Sequence, residues 1–579
     1  MRLVAYRDCS ELLASLRTAT EQRVGPYGLD GGRREVMFKT PTPLAAGAVK
    51  DAPAHSETNV HEAGVDEPDQ VKTDGKRIIL ASNGTLFVVD AATRKVTSKL
   101  RLPAGFEGRS DLMISGDKVL VMGNGAIGLT GIRKMTPGGF VPSQNTRILQ
   151  VDLGSGSPKI TGELSAVGDL VDARQVGSVV RVVVRTQPNI KFPERDWSRT
   201  KNWEKDERAA TVANKAVVRK APLESWQPTF TVTTGGVEQK HQVPCEQISR
   251  PKDSDQISML SVLTVDLAQG IGDPQPVSVV ADGETVYGTG GSLYITGTPW
   301  ERWPEVWSRA FVPKPLATEI HKFDVSGTGR PRYVASGSVP GSLLNQYSLS
   351  EYGGNLRVAT TAGKDSSVYV LAPEGPQLTQ IGKVGGLGKK EQIYSVRFVG
   401  PKGYVVTFRQ VDPLYVLDLN DPKAPRVTGE LKITGYSAYL HPAGDGRILG
   451  VGQEADAQGH RLGAQISLFD VSGEPKRLSQ LRLPEVSDTQ TEGDQHAFLY
   501  WPATGLTVIP VYTEDGQSRA LVLTVKADGV RKIGTISHPS DSSLDRALLI
   551  GDTLWTVSDT GIKASDPVTL KDQAWLPLT

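Results

Sequence analysis

The chain has 579 residues, of which 38% are hydrophobic and 22% charged, a balance that excludes disordered and collagen-like classes. Its 65 basic side chains offset 64 acidic ones, so no global field draws it to nucleic acid or to an anionic membrane. No stretch approaches the ~18 to 20 consecutive apolar residues of a membrane span.

The opening MRLVAYRDCSELLASLR has no apolar core after its positive charge and therefore reads as lacking a secretory signal, which leaves a cytoplasmic protein or one whose signal has been removed. Ser10 is the expected N-cap of a short amphipathic helix carrying Leu12, Leu13 and Leu16. Cys9 precedes it, and Arg7-Asp8 upstream argue against lipidation. The second cysteine is Cys245, and neither stands in a C-x-x-C pair. Taken alone, two such thiols fit one disulfide in an oxidising compartment or two buried thiols in a reducing one.

Residues 55–75, HSETNVHEAGVDEPDQVKTDG, gather His55, His61, Asp66, Asp69 and Asp74, residue types suited to a divalent cation such as calcium. Their spacing matches neither an EF-hand loop nor H-E-x-x-H, so the preferred reading is an extended acidic lead-in whose carboxylates accept backbone N–H bonds.

From residue 71 onward a unit recurs. A β-rich run ends in Asp at Asp90, Asp152, Asp266, Asp324, Asp418 and Asp470, and a Gly- or Pro-rich turn follows. A second run then often carries a central Gly: Gly162, Gly337, Gly382, Gly429 and Gly534. An Asp closing a strand starts the turn by accepting N–H groups two residues on. With the hairpin before each Asp, every unit reads as four antiparallel strands. The expected fold is all-β: a single large β-propeller of four-stranded blades, nine by the best count and eight by the next, the eighth unit starting near residue 494. A short N-terminal helix and the lead-in occupy residues 1–70 and pack on a propeller of residues 71–579.

Two insertions break the rhythm, at residues 187–256 and 297–316. The first contains TKNWEKDERAATVANKAVVRKA, which is Ala-rich, charged, free of Gly and Pro, and predicted helical. Six of the nine Trp fall in these insertions, Trp197, Trp203, Trp226, Trp300, Trp303 and Trp307, where they either pack the insertions down or form an aromatic contact surface for glycan or peptide.

Catalytic signatures are missing. The match of residues 123–128 to G-x-G-x-x-G is followed by Gly131, Pro137 and Pro142, where no phosphate-binding helix can form. There is no nucleophile elbow and no Walker A sequence. His441 and His496 sit beside strand starts, where they face the propeller surface or are satisfied by backbone.

Several segments resemble a family of bacterial and archaeal secreted proteins with a C-terminal β-propeller distantly related to WD repeats: GVDEPDQVKTDG, TEIHKFDV, GSVPGSLLNQYSLSEYGGNLRVATT, EQIYSVRFVGPKGYVVTFRQVDPLYVLDLNDP and DTLWTVSDTGIKASD, together with YRDCSELL and VPCEQISRP. The resemblance implies a secreted or extracytoplasmic protein whose signal peptide is absent from this chain. It also implies a disulfide between Cys9 and Cys245. It carries no catalytic residues. The functional expectation is a non-catalytic scaffold that binds a protein or cell-envelope component. The alternative is a hydrolase or lyase acting on an extracellular polymer in the propeller channel, metal-assisted or not.

Overall fold

The computed structural model describes residues 3–29, 55–108, 110–124, 145–154, 156–252, 254–298, 316–408, 411–444, 446–456, 458–539 and 542–578. Nine antiparallel units follow one another, at 71–101, 111–167, 169–280, 285–340, 349–387, 392–434, 436–483, 486–536 and 544–577, and are numbered here as blades 1 to 9.

Each strand that ends in one of the six marker Asp residues does so because the side chain starts the next turn. Asp152 Oδ1 accepts from the Gly154 N–H at 2.9 Å, Asp324 from Ser326 at 3.1 Å, Asp418 from Asn420 at 3.0 Å and Asp470 from Ser472 at 3.0 Å. The recurring glycines have a different cause. Gly162, Gly337, Gly382, Gly429 and Gly534 all lie on outer strands where the next blade presses against the backbone, through Ile271, Leu378, Pro422, Pro475 and Leu570 respectively. A Cβ on Gly429 would meet Pro475 Cδ at 2.5 Å, and a proline ring fixed in the adjoining turn has nowhere to go. Gly429→Ala is therefore expected to destabilise the protein by about 1 to 3 kcal/mol, read from the urea midpoint.

Among the described residues nine apolar clusters stand between nine blades, and each is shared by two neighbours. The cluster joining the ends of the chain sets Ile78, Leu80 and Phe87 of blade 1 against Trp555, Val557 and Ile562 of blade 9. The ring is thus closed by side-chain burial, at roughly 1.5–3 kcal/mol for each fully buried large side chain. A backbone clip adds to it, since the Ser56 N–H donates to the Leu549 carbonyl at 2.7 Å.

The structure departs from the sequence reading in three places. Asp8, not Ser10, caps the first helix, α1 (Cys9–Arg23), accepting from the Glu11 N–H at 2.8 Å. Blade 8 begins at Val486 because its innermost position is split between Val486–Thr489 and Leu499–Trp501, both pairing with Leu506–Thr513. Finally, the insertion after the second strand of blade 3 contributes strands as well as the predicted helix, α2 (Trp203–Lys220). Thr229–Thr234 pairs with the outer strand of blade 2, and Val237–Gln242 pairs beyond it. Ile248–Pro251 lies beside the outer strand of blade 3, with Leu3–Ala5 added at the edge. These additions cover the exposed strand edges of two blades.

The two helices pack together on this insertion as a cap. Leu12, Leu16, Val218, Trp226 and Val243 share one cluster, the Trp226 indole N–H donates to Thr20 Oγ1 at 3.0 Å, and a Cys9–Cys245 disulfide links α1 to the insertion. Second-to-third strand connections all emerge on one face of a ring of equivalent blades, so the cap marks that face. Among the described residues no helix is long and apolar enough to cross a membrane.

Candidate functional site

The first strand of each blade lines the axis, and the axis is not empty. Residues 55–70 run into it from the face opposite the cap and form a strap that reaches blades 1, 2, 3, 4, 5, 7, 8 and 9. Asn59 Nδ2 donates to Tyr439 OH at 3.1 Å and to the Gln495 carbonyl at 3.0 Å. His61 stacks on Tyr347 with ring centroids 4.2 Å apart, and Tyr287 OH donates to Glu62 at 2.7 Å. Asp66 exchanges backbone bonds with Gln175, and Asp69 does so with Leu112.

Opposite charges on the strap and the walls meet at the centre. The Arg546 guanidinium, on the inner strand of blade 9, donates to Asp69 at 2.6 Å and lies 2.8 Å from Asp494 of blade 8. Glu67 receives Gln346 Nε2 at 3.2 Å, faces His496 Nε2 at 3.3 Å and lies 3.8 Å from Arg174, which also pairs with Asp172 at 2.7 Å. Burial would raise the Glu67 carboxyl, but Arg174 and His496 outweigh it and hold the group far below the ordinary carboxylate range. Burial opposes charge on His496 too, yet the hydrogen bond to Glu67 and the charges of Asp69 and Asp494 outweigh it and raise this imidazole above its ordinary range. His61 goes the other way, held well below the ordinary imidazole range by burial and then by Arg397.

Toward the cap-bearing face the channel holds carboxylates that stay partly open to water. Asp172 keeps 32% of its side-chain surface in contact with water and Asp494 keeps 29%. Asp111, which opens the inner strand of blade 2, is pushed up to about 6 by burial and by the neighbouring Asp69 charge. Its folded value thus exceeds the ordinary 3.8, so Asp111 favours folding relative to its ionised form only while protonated. That contribution is full below about pH 4 and is lost as pH rises through 6. Asp111→Asn should match the parent in stability at pH 4 and exceed it at pH 7.5, checked by thermal melts at both values. Equal differences at the two pH values would contradict this assignment.

The five residues named as metal candidates are drawn apart. His55 packs over Gly75, His61 lies between Tyr347 and Tyr287, Asp66 receives Lys72 Nζ at 2.7 Å, Asp69 receives Arg546, and Asp74 receives Arg77. Among the described residues no group of three or more His, Cys, Asp or Glu is arranged to hold a metal ion. The carboxylates are already neutralised by cationic side chains, and the set does not fit calcium, which needs six to eight oxygen ligands around one point.

The insertion tryptophans divide. Trp226 is core, 1% exposed, whereas Trp203 is 53% exposed and stacks on Trp197 with planes 3° apart and centroids 5.8 Å apart. Tyr27, beyond the end of α1, packs on Trp197 at 4.8 Å. Trp300, Trp303 and Trp307 lie outside the described residues.

A closed ring of four-stranded blades with a self-filled axis defines a β-propeller. The chain belongs to the beta propeller domain family, whose model matches residues 55–570. It is 38% identical over 234 residues to an uncharacterized protein of Methanocaldococcus jannaschii and 40% identical over 232 residues to one of Archaeoglobus fulgidus. Those matches cover 39% and 40% of this chain, and only 35% and 34% of the relatives' own length. Among solved structures it is similar to apo AztD from Citrobacter koseri, with 11% identity, a TM-score of 0.31, and 89% of this chain and 94% of that one covered.

Sequence reasoning missed the axial network, although its trace is present. Arg174, Arg397 and Arg546 each put a cation on a largely buried inner strand, in DARQV, SVRFV and DRALLI. A charge at such a position needs a buried partner.

Proposed function

We propose that this protein is an extracytoplasmic, non-catalytic interaction scaffold that engages a cell-envelope component through its cap-bearing face. The observation that carries this reading is the exposed indole of Trp203, stacked on a half-buried Trp197 on a covalently clamped cap, against an axis whose charges answer one another. Rigid frames with covalently fixed, aromatic-bearing insertions suit recognition, because little ordering entropy remains to be lost on binding. The disulfide supports the compartment, since such bonds persist where thiols are oxidised. Two measurements test the reading. Protein from its native source should contain no free thiol at Cys9 or Cys245, and the intact chain should sediment with isolated envelope while Trp197→Ala/Trp203→Ala does not. Two free thiols, or equal recovery of both proteins, would overturn it.

The second reading, an enzyme acting on an extracellular polymer, is favoured by one observation: Asp111 is raised while Asp494 is lowered in the same channel. Two carboxyls pushed apart suit acid and base roles. It requires Asp111→Asn to abolish polymer cleavage by the purified chain.

A further inference from the structure

We propose that the channel mouth opposite the cap binds a small aliphatic amine, its ammonium group held between Asp66 and Gln175. The site lies away from the cap and does not depend on how the cap is read.

A cavity of about 230 Å³ opens there between the strap and the inner strands of blades 1, 2, 3 and 9. Cavities of about 150 Å³ hold a benzene ring, so this one has room for a slightly larger organic molecule. Asp66 of the strap and Gln175 of blade 3 stand side by side at it. Their backbones exchange hydrogen bonds of 2.8 and 2.9 Å in an antiparallel bridge, and directly opposed side chains of such a pair project on the same face. Gln175 supplies the observation that points to a ligand. It is 5% exposed, and its Nε2 donates to the Ile114 carbonyl at 2.7 Å and to the Gly177 carbonyl at 2.8 Å. An oxygen in that place would face two carbonyl oxygens, so the amide cannot be turned over. Its Oε1 is therefore an acceptor, and among the described residues that buried atom receives no donor.

Charge selects a cation. The lining carries two carboxylates, Glu57 and Asp66, against one ammonium, Lys72, a net of −1. The other titratable side chain there, His55, packs over Gly75. Lys72 has nothing left for an anion, because its three N–H groups go to Asp66 at 2.7 Å, Thr58 at 2.9 Å and the Glu67 carbonyl at 2.5 Å. Asp66 meets Lys72 through Oδ1 alone, the same oxygen that receives the Glu67 N–H. Glu57 is exposed at the rim and has no ion pair among the described residues. The rest of the wall is Val60, Val65, Val71, Ile114 and Leu548, which suits a hydrocarbon body. An amino acid fits less well than a plain amine, since its carboxylate would meet Glu57 and Asp66 and no unspent ammonium.

Isothermal titration calorimetry of the full chain tests the proposal with cadaverine, pentylamine, δ-aminovalerate and pentanol, probes of one chain length with different end groups. Both amines are expected to bind, cadaverine more tightly because Glu57 offers its second ammonium a partner. Pentanol and δ-aminovalerate should bind about tenfold more weakly than pentylamine, or not at all. Bound amine should also raise the melting temperature, since it ties the strap to the wall. Asp66→Asn keeps an oxygen for Lys72 and removes the charge, and should weaken pentylamine about tenfold. Glu57→Lys guards against a folding defect in that variant: the position is exposed, the protein should melt with the parent, and the lining changes from −1 to +1, which should weaken both amines. Heats of dilution alone for both amines, the result for a cavity that holds only water, would overturn the proposal. So would pentanol or δ-aminovalerate binding as well as pentylamine, or amine affinities unchanged in Glu57→Lys. None of these results bears on sedimentation with envelope through Trp203, so the scaffold reading stands or falls separately.

Discussion

Replacing Arg546 with Met is expected to destabilise the protein by about 3 to 5 kcal/mol, through charges left behind more than through the bond removed. Asp69 is 3% exposed and receives Arg546 Nε at 2.6 Å, and Asp494 lies 2.8 Å from the same guanidinium. Met fills much of the arginine's volume, so the packing term is small and the stranded carboxylates dominate. Three elements meet at this residue: the strap through Asp69, blade 8 through Asp494, and blade 9, which carries Arg546 itself. The loss therefore falls on the seam where the ring closes. Two further measurements separate charge from packing. Asp69→Asn in the Arg546→Met background should recover a substantial part of the loss. The penalty should also shrink as pH falls, because Arg546 holds the Asp494 carboxyl below its ordinary range, and without that cation Asp494 takes up a proton more readily. A penalty that is independent of pH and unrelieved by Asp69→Asn would show that Arg546 acts only by filling space.

The contrast between that network and the blades shows what a single sequence can and cannot disclose. Strand-end Asp residues and central Gly residues are legible because their causes are local, or repeat at a fixed place. Asp418 needs only the N–H two residues away, and Gly429 meets the next blade's turn in the way Gly162 and Gly534 do. Those marks were enough for the all-β class and for nine blades. Blade 8 was harder, since its inner position is shared by two short segments, neither long enough to show alternation. The strands Thr229–Thr234 and Val237–Gln242 extend blade 2 although the chain is at that point between two strands of blade 3, and nothing local announces such a partner. The axial network is the extreme case. Glu67 and the residues around it, Arg174, Gln346 and His496, come from four separate parts of the chain, and only ring closure brings them together. The acidic run at residues 55–75 offered metal candidates because its carboxylates were visible, whereas the arginines that face Asp69 and Glu67, Arg546 and Arg174, stand far along the chain.

Removing the disulfide by Cys9→Ser/Cys245→Ser should release α1 from the cap while leaving the ring folded. The bond spans 236 residues, and the loop-entropy relation assigns about 5 kcal/mol to a closure of that length. What remains to hold α1 is modest. Leu12 and Leu16 are buried, Arg17 donates to the Ala221 carbonyl at 2.8 Å, Trp226 donates to Thr20, and Arg23 pairs with Asp255 at 2.9 Å. Two buried leucines contribute roughly 3 to 6 kcal/mol, and exposed ion pairs add little. Against this stands the cost of ordering a 15-residue helix at the end of a long tether, about 1 to 2 kcal/mol per residue of backbone before helical hydrogen bonds offset most of it. The balance is close enough for about 5 kcal/mol to decide it. The blades have no such dependence, because their nine clusters close without α1 in all but the one between blades 2 and 3. The oxidised parent should therefore melt in one transition and the double variant in two. The earlier transition should carry loss of helical circular dichroism and tryptic cleavage at Arg17 and Arg23, and the later should stay near the parent temperature. A single, strongly lowered transition would instead place α1 within the cooperative core of the ring. Tyr27 is carried on the segment that α1 anchors, so its contact with Trp197 should be lost in the first transition, before any blade comes apart.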